Sequence, residues 1–151
     1  MSLMDTFISV DFRGEIFVLS SRYLADSFLG AGAFGAVCSA RDESTKASIA
    51  IKKCKQILGS KMVLARTIRE VRLLRKLCHP NIITILGVMP IPDISKFSEI
   101  YIIFERMEDD LGSLIASAPE ISMGLIELFL WQLLRALEYM HSANIVHRDL
   151  K

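Results

Sequence analysis

Residues 29–40 read LGAGAFGAVCSA, in which Gly30, Gly32 and Gly35 form a G-x-G-x-x-G pattern. The same spacing occurs in dinucleotide-binding folds, in loops that cover nucleotide phosphates and in plain glycine-rich hairpins, so the glycines alone are a weak signal. In a dinucleotide-binding fold the glycines open a helix, whereas Val37 and its neighbours continue as a strand. The stretch therefore favours two strands joined by a glycine loop, which either offers backbone N–H groups to phosphates or is an ordinary hairpin.

The hydrophobic pattern around this loop predicts a strand-rich first part with one helix, followed by the start of a helical part. His79-Pro80-Asn81 is expected to stop the first helix, because proline disfavours a helical residue before it. Asn144 suits a left-handed cap after the second helix. The predicted elements are a hairpin at Phe7–Leu19 with its turn at Gly14, two strands around the glycine loop, strands at Ser48–Lys53, Ile82–Val88 and Ile100–Phe104, and helices at Lys61–Leu77 and from about Ser122, the last with an apolar face of Ile126, Phe129, Leu130, Leu133, Leu134, Leu137 and Met140.

A lysine that could bind phosphate lies in the predicted strand after the loop. Ala50 and Lys52 share one face of that strand, while Ile51 and Lys53 point to the other. A small alanine leaves room for a flat adenine, and a lysine two residues on reaches phosphate oxygens. Strand parity is the basis for preferring Lys52 to Lys53, and two solvated lysines are the alternative.

Glu70 lies in the predicted helix, 18 residues after Lys52. A lysine directed at phosphate needs an anionic partner to orient it, which a glutamate from a packed helix would supply. The alternative is a surface pair with Arg66 at i, i+4, worth only about 0.3–0.5 kcal/mol.

The last residues, His147-Arg148-Asp149-Leu150-Lys151, contain a possible general base. A carboxylate beside an acceptor hydroxyl orients it and takes its proton during phosphoryl transfer. A His-Arg-Asp tripeptide alone is commonly a polar loop. The glycine loop, the strand lysine, the helix glutamate and this tripeptide together, in this order, favour phosphoryl-transfer chemistry.

The composition excludes several other classes of protein. A net charge of +1 over 151 residues gives no indication of a nucleic-acid-binding protein. The most apolar run, residues 125–140, is interrupted by charged and amide side chains and does not predict a membrane span. Three cysteines without a C-x-x-C pair fit a reducing compartment, and the N-terminus lacks a secretory pattern, so a cytoplasmic and also nuclear location is expected.

Four stretches resemble protein serine/threonine kinases, and among these the stress-activated MAP kinases of the fungal osmotic-response type. They are GAGAFGAVCSA (30–40), IAIKK (49–53), ARTIREVRLLRKLCHPNII (65–83) and HSANIVHRDLK (141–151). The resemblance implies an α+β fold, with a kinase-like small lobe of antiparallel sheet plus one helix and the first helices of a helical large lobe. It implies an N-terminal hairpin extension at 1–21, the small lobe at 22–106 and the start of the large lobe at 107–151.

Carried over position by position, the resemblance assigns a role to each matching residue. Arg69 and Arg148 would bind the phosphothreonine of an activated loop, and Phe104 would be the gatekeeper residue. The implied catalytic residues are Asp149, Lys52 and Glu70, and the implied ATP-contacting residues are Leu29, Gly30, Ala31, Gly32, Ala33, Phe34, Gly35, Val37, Ala50, Lys52, Phe104, Glu105, Met107 and Asp110.

The sequence departs from the kinase pattern at its end. The metal-binding Asn of H-R-D-L-x-x-x-N falls three positions beyond Lys151, and the DFG aspartate and activation loop do not occur. We therefore expect an N-terminal fragment whose cofactors, ATP and Mg²⁺, lack their protein metal ligands, and which is inactive by itself. Protein substrates and an upstream MAP kinase kinase are the implied partners. The alternative is an inactive short form that binds nucleotide or a partner protein.

Overall fold

The computed structural model describes residues 6–32, 35–90, 93, 98–117 and 120–150. The chain forms two compact units. The first unit comprises the described residues of Met1–Leu73 and Ile85–Arg106, and the second comprises those of Leu74–Thr84 and Met107–Lys151. Each unit is described by itself.

The first unit contains a two-stranded hairpin, a five-stranded antiparallel sheet of order β3-β4-β5-β7-β6 and most of one helix. The predicted hairpin and the strands on both sides of the glycine loop are confirmed. A turn at Arg13-Gly14 joins the hairpin strands, and Arg13 and Gly14 have positive φ. The elements are β1 (Phe7–Phe12), β2 (Glu15–Ser20), β3 (Tyr23–Gly32), β4 (Gly35–Asp42), β5 (Ser48–Cys54), α1 (Lys61–Leu74), β6 (Ile85–Val88) and β7 (Ile100–Glu105).

The hydrophobic core lies between the hairpin and one face of the sheet, here called the back face. Alternate residues of β5 are buried there, because side chains of a strand point to opposite faces in turn. Phe17 and Leu19 of β2 pack in the same core cluster as Ile51 of β5 and Ile103 of β7. Burying each of these side chains contributes about 1.5–3 kcal/mol to stability. The hairpin therefore closes the back face and leaves the opposite, front face to other elements.

Two predicted boundaries of the first unit's elements are wrong. Helix α1 ends at Leu74, three residues before the predicted end, and a turn follows at Arg75-Lys76. Pro80 restricts only the residue directly before it, so it does not set the helix end. Strand β6 begins at Ile85 instead of Ile82, because the N–H of Ile82 donates to the His79 carbonyl in a turn (3.1 Å).

The second unit contains α2 (Leu111–Ser117) and α3 (Met123–Ser142). The predicted start of the long helix is confirmed: the Ser122 hydroxyl accepts a hydrogen bond from the N–H of Leu125 (3.3 Å) and caps α3. Asn144 follows the helix with φ 57°, the predicted left-handed conformation. Tyr139 of α3 stacks on His79, with ring centroids 5.1 Å apart, so the segment after α1 is fastened to α3.

Most of the predicted apolar face of α3 is not buried within the described residues. Met140 and Ala136 are buried, whereas Leu130 and Leu134 are more than half exposed. The periodicity of this face is that of a helix packed on other elements, and the described residues do not cover it. Within the part of the chain that the structure describes, no helix is long and apolar enough to span a membrane.

Asp42, at the end of β4, is a buried carboxylate that makes a pH-dependent contribution to stability. It accepts from Arg22 Nε (2.8 Å) and Nη2 (2.6 Å) and from the N–H and hydroxyl of Ser44 (2.9 and 2.8 Å). The Arg22 guanidinium, followed by Ser44, outweighs the effect of burial and holds the pKa of Asp42 far below its usual value. This stabilisation of the folded state is fully present above the pKa that Asp42 has in the unfolded chain. It is lost as the pH falls from that value toward the lower pKa of the folded state.

We expect Asp42→Asn to lower the free energy of unfolding at pH 7 by about 1–3 kcal/mol, because it removes the charge of a buried carboxylate that accepts hydrogen bonds from Arg22 and Ser44. Between about pH 5 and pH 2, the variant should also lose less stability than the wild type does. Urea titrations across this pH range measure both effects. Asp26→Asn, which changes an exposed aspartate of β3, is the matched control. Equal pH dependence in the wild type and the Asp42 variant would contradict the assignment.

Candidate functional site

The front face of the sheet brings together several of the residues predicted to contact ATP. Val37 pairs with Lys52 across β4 and β5, and Ala50 pairs with Phe104 across β5 and β7. Directly paired residues of antiparallel strands point to the same face, so these four side chains share the front face. As predicted, the small Ala50 and the charged Lys52 therefore lie on the same face of β5.

Glu70 of α1 binds Lys52 on this face. The Lys52 ammonium donates to Glu70 Oε1 at 2.5 Å, and about a quarter of the lysine side chain and a third of the glutamate side chain are exposed. A partly exposed ion pair adds at most about 1 kcal/mol to stability. Its effect is mainly to orient the ammonium, which would otherwise sample many rotamers, toward a fixed region of the front face.

Lys53, the alternative phosphate lysine, lies on the back face and is enclosed. Its side chain is 6% exposed, and its ammonium lies 3.1 Å from Glu15 and 3.0 Å from Glu99. An ammonium with two carboxylate partners in the protein interior is not available to a ligand on the front face. The geometry thus supports the preference for Lys52, whose role in phosphate binding stays a prediction.

The three glycines of the loop differ in what surrounds them. A Cβ atom added at Gly30 or Gly32 would meet nothing within 4 Å. At Gly35 φ is 136°, and an added Cβ would lie 1.9 Å from the carbonyl oxygen of Lys53. Gly35 is therefore required by the close approach of β4 to β5, whereas the other two leave open space over the backbone. Ala33 and Phe34, also predicted to contact ATP, lie outside the described residues.

The remaining residues predicted to contact ATP are divided between the sheet and the second unit. Leu29 and Ala31 belong to β3, with Leu29 44% exposed, and Glu105 ends β7. Met107 and Asp110 belong to the second unit. The Asp110 carboxylate accepts from the N–H and hydroxyl of Ser113 at 2.9 and 3.1 Å, which caps α2 and lowers the pKa of Asp110. Sequence reasoning assigned Asp110 to a ligand and missed this capping role.

Asp149 lies in the second unit, whereas Lys52 and Glu70 lie in the first. Its own N–H donates to His147 Nδ1 (3.2 Å), and Arg148 between them has φ 66°. All three residues of the tripeptide are exposed to solvent. The geometry agrees with an accessible carboxylate, and the catalytic role of Asp149 stays a prediction.

No metal centre is formed by the residues that can be described. Among them, no three His, Cys, Asp or Glu side chains gather in a way that could hold a metal ion. Mg²⁺ prefers six oxygen ligands in octahedral geometry, with one or two carboxylates among them. The described residues do not fit such an ion.

Residues 23–151 match the family model described as protein kinase domain. The chain belongs to the protein kinase domain family. The predicted α+β kinase fold, with an antiparallel sheet and helices, is confirmed. The strand Gly35–Asp42 directly after the glycine loop also excludes a dinucleotide fingerprint, which would require a helix there.

Several mitogen-activated protein kinases are similar to this chain over 96% of its length. Mitogen-activated protein kinase 3 of Arabidopsis thaliana is 45% identical over 146 residues, which cover 96% of this chain and 40% of the relative. Mitogen-activated protein kinase 6 of the same plant is 41% identical and mitogen-activated protein kinase 1 of Oryza sativa subsp. japonica is 40% identical, each with 96% of this chain and 37% of the relative covered. The chain thus spans about two fifths of the length of these curated relatives.

Because Gly30 and Gly35 have different surroundings, we expect substitution by alanine to affect them differently. Gly35→Ala should lower the free energy of unfolding by more than about 2 kcal/mol, because a Cβ would collide with the Lys53 carbonyl at a positive φ. Gly30→Ala should change it by less than about 0.5 kcal/mol, since nothing fills the space beside Gly30. Urea unfolding midpoints of the two variants measure the difference. Similar losses in both would show that the loop glycines are not distinguished in this way.

Proposed function

We propose that the protein is a MAP-kinase-type protein serine/threonine kinase that transfers the γ-phosphoryl group of ATP to hydroxyls of protein substrates. The observation that carries the proposal is the Lys52–Glu70 pair on the sheet face that also presents Val37 and Ala50. The supporting comparison is an identity of 40–45% to mitogen-activated protein kinases over 96% of this chain.

ATP fits the front face by the chemistry of the side chains there. Val37 and Ala50 are apolar or small and suit a flat purine ring. The Lys52 ammonium supplies a charge-assisted hydrogen bond to phosphate oxygens, and Glu70 restricts the rotamers from which it does so. Gly30 and Gly32 leave their backbone open to a close approach of the triphosphate.

Asp149, which belongs to the second unit, is the acid–base group in this proposal. Asp149 would accept a hydrogen bond from the substrate hydroxyl and take its proton as the oxygen attacks the γ-phosphorus. The O–H bond breaks, an O–P bond forms, and ADP leaves with the electrons of the old P–O bond. Arg148 and Arg69 would bind a phosphorylated activation loop, because guanidinium groups form paired hydrogen bonds with phosphate.

The finer assignment is a stress-activated kinase of the fungal osmotic-response type. It is supported by the stretches around the glycine loop, Lys52, Glu70 and Asp149 that resemble those enzymes. An upstream MAP kinase kinase, substrates phosphorylated before proline and a cytoplasmic and nuclear location form part of this proposal. Phosphorylation of an arrayed peptide library by the full enzyme tests the preference for proline.

Lys52→Met should weaken the binding of ATP by roughly tenfold or more, because one charge-assisted hydrogen bond to the phosphates is lost. Glu70→Gln should have a smaller effect in the same direction, since the ammonium remains. Displacement of a fluorescent ATP analogue by ATP measures the affinities. Lys46→Met, which changes an exposed lysine paired with Glu43, is the matched control. Unchanged affinity in the Lys52 variant would remove the main support for the proposal.

A second candidate applies to residues 1–151 as a separate polypeptide, namely a nucleotide- or partner-binding module without catalysis. Its supporting observation is that these residues contain the Lys52–Glu70 pair but no Asp-Phe-Gly sequence. Without the carboxylate and amide that hold metal, most of the electrostatic stabilisation of the transition state is lacking.

We therefore expect this polypeptide, incubated with ATP and Mg²⁺, to phosphorylate a generic MAP kinase substrate no faster than its Lys52→Met variant. Transfer of radiolabelled phosphate measures the rate. Transfer clearly above that of the variant would show that the 151 residues suffice for catalysis.

A further inference from the structure

Lys53 is the most enclosed cation among the ion pairs of the first unit. Its ammonium lies between the carboxylates of Glu15 and Glu99, donates to the carbonyl oxygen of Ile16 and lies 5.7 Å from the centre of the Phe17 ring. A buried ammonium is tolerated only when its charge is paired and its donors are satisfied. All these partners are present, so the lysine is held in one geometry.

The partners of Lys53 belong to different parts of the fold. Glu15 begins β2 of the hairpin, and Glu99 directly precedes β7. Tyr101 of β7 donates its hydroxyl hydrogen to Glu99 (2.9 Å) and accepts a hydrogen bond from the N–H of Val18 in β2 (3.0 Å). We call Lys53, Glu15, Glu99 and Tyr101 the back-face cluster. The cluster links the hairpin, β5 and β7 by ion pairs and hydrogen bonds. These contacts depend on direction, whereas apolar packing does not.

The back-face cluster acts on the same strand that carries the front-face lysine. Lys52 and Lys53 are consecutive in β5, so rotation of the strand about its axis moves both side chains. The carbonyl of Lys53 also lies against Gly35, where a Cβ would be 1.9 Å away. The position of Lys53 therefore bears on the direction of the Lys52 side chain and on the place where the glycine loop rejoins the sheet.

We propose that Lys53 is a positioning residue for phosphate binding, which fixes β5 from the back face so that the ammonium of Lys52 is directed at the phosphates of ATP. This inference rests on the proposed function, in which Lys52 binds those phosphates. Lys53 itself touches no nucleotide. Its effect passes through the backbone of β5 and the register of β5 with β4.

The test compares ATP with adenosine, because only ATP offers phosphates to Lys52. Lys53→Met in the full chain should weaken ATP binding by roughly five- to tenfold and leave adenosine binding within about twofold, since part of one charge-assisted hydrogen bond is lost. Displacement of a fluorescent ATP analogue by each compound gives the ratio of affinities. A variant that merely lowers the folded fraction would weaken both compounds equally.

Two further variants separate positioning from stability. Lys53→Met combined with Glu15→Gln and Glu99→Gln leaves no buried unpaired charge, so it should regain stability relative to the single variant. Its ratio of ATP to adenosine affinity should nevertheless stay low, because the direction of β5 is not restored. Full recovery of the ratio in this triple variant would overturn the proposal. Lys53→Arg keeps the charge and should recover part of the ratio.

Two controls assign any failure to the correct claim. Lys55→Met removes another partner of Glu15, but Lys55 is 41% exposed and lies after the end of β5, so the affinity ratio should not change. Lys52→Met reports on the proposed function itself. If Lys52→Met lowers the ratio and Lys53→Met does not, only the positioning role is wrong. If neither lowers it, phosphate binding by Lys52 is wrong as well.

Discussion

The structure depends on the alternation of side chains along β5, which lies between β4 and β7 and uses both of its faces. On the back face Ile49, Ile51 and Lys53 are buried against the hairpin and neighbouring strands. On the front face Ala50 and Lys52 remain partly exposed. Because the period of a strand is two residues, a slip by one position would exchange these two sets and bury the wrong lysine. The register of β5 therefore decides both the core and the candidate site.

The buried charge at Lys53 makes that register specific. The apolar residues on the back face oppose a slip by one position, because it would turn them toward the front face. The ammonium of Lys53 adds a polar requirement, because it has to lie between Glu15 and Glu99. Breaking such a pair by a shift would leave uncompensated charges, at a cost of about 3–5 kcal/mol. The hydrophobic effect and the ion cluster thus favour the same alignment of the strands.

Local patterns in the sequence were sufficient to predict the strands, the start of α3 near Ser122 and the left-handed Asn144. Each of these depends on periodicity, on the chemistry of a cap or on spacing along the chain. The pairing of Lys52 with Glu70 followed from the resemblance to protein kinases. The partners of Lys53 and the contact of Gly35 with the Lys53 carbonyl could not be predicted locally, because they depend on which segments the fold brings against the back face. One signal was nevertheless present: Lys53 has the same strand parity as Ile49 and Ile51, so it had to be buried with partners of opposite charge.

The different burial of Lys52 and Lys53 determines which of them is available to a ligand. An ammonium that is fully enclosed and paired, as at Lys53, would have to break buried contacts before it could meet a phosphate. The Lys52–Glu70 pair is partly exposed, so water screens it and its net energy is small. A weak pair of this kind orients the ammonium without committing its remaining N–H donors. The proposed site therefore combines an anchored back face, which resists displacement, with a front-face lysine that keeps donors available for an anionic ligand.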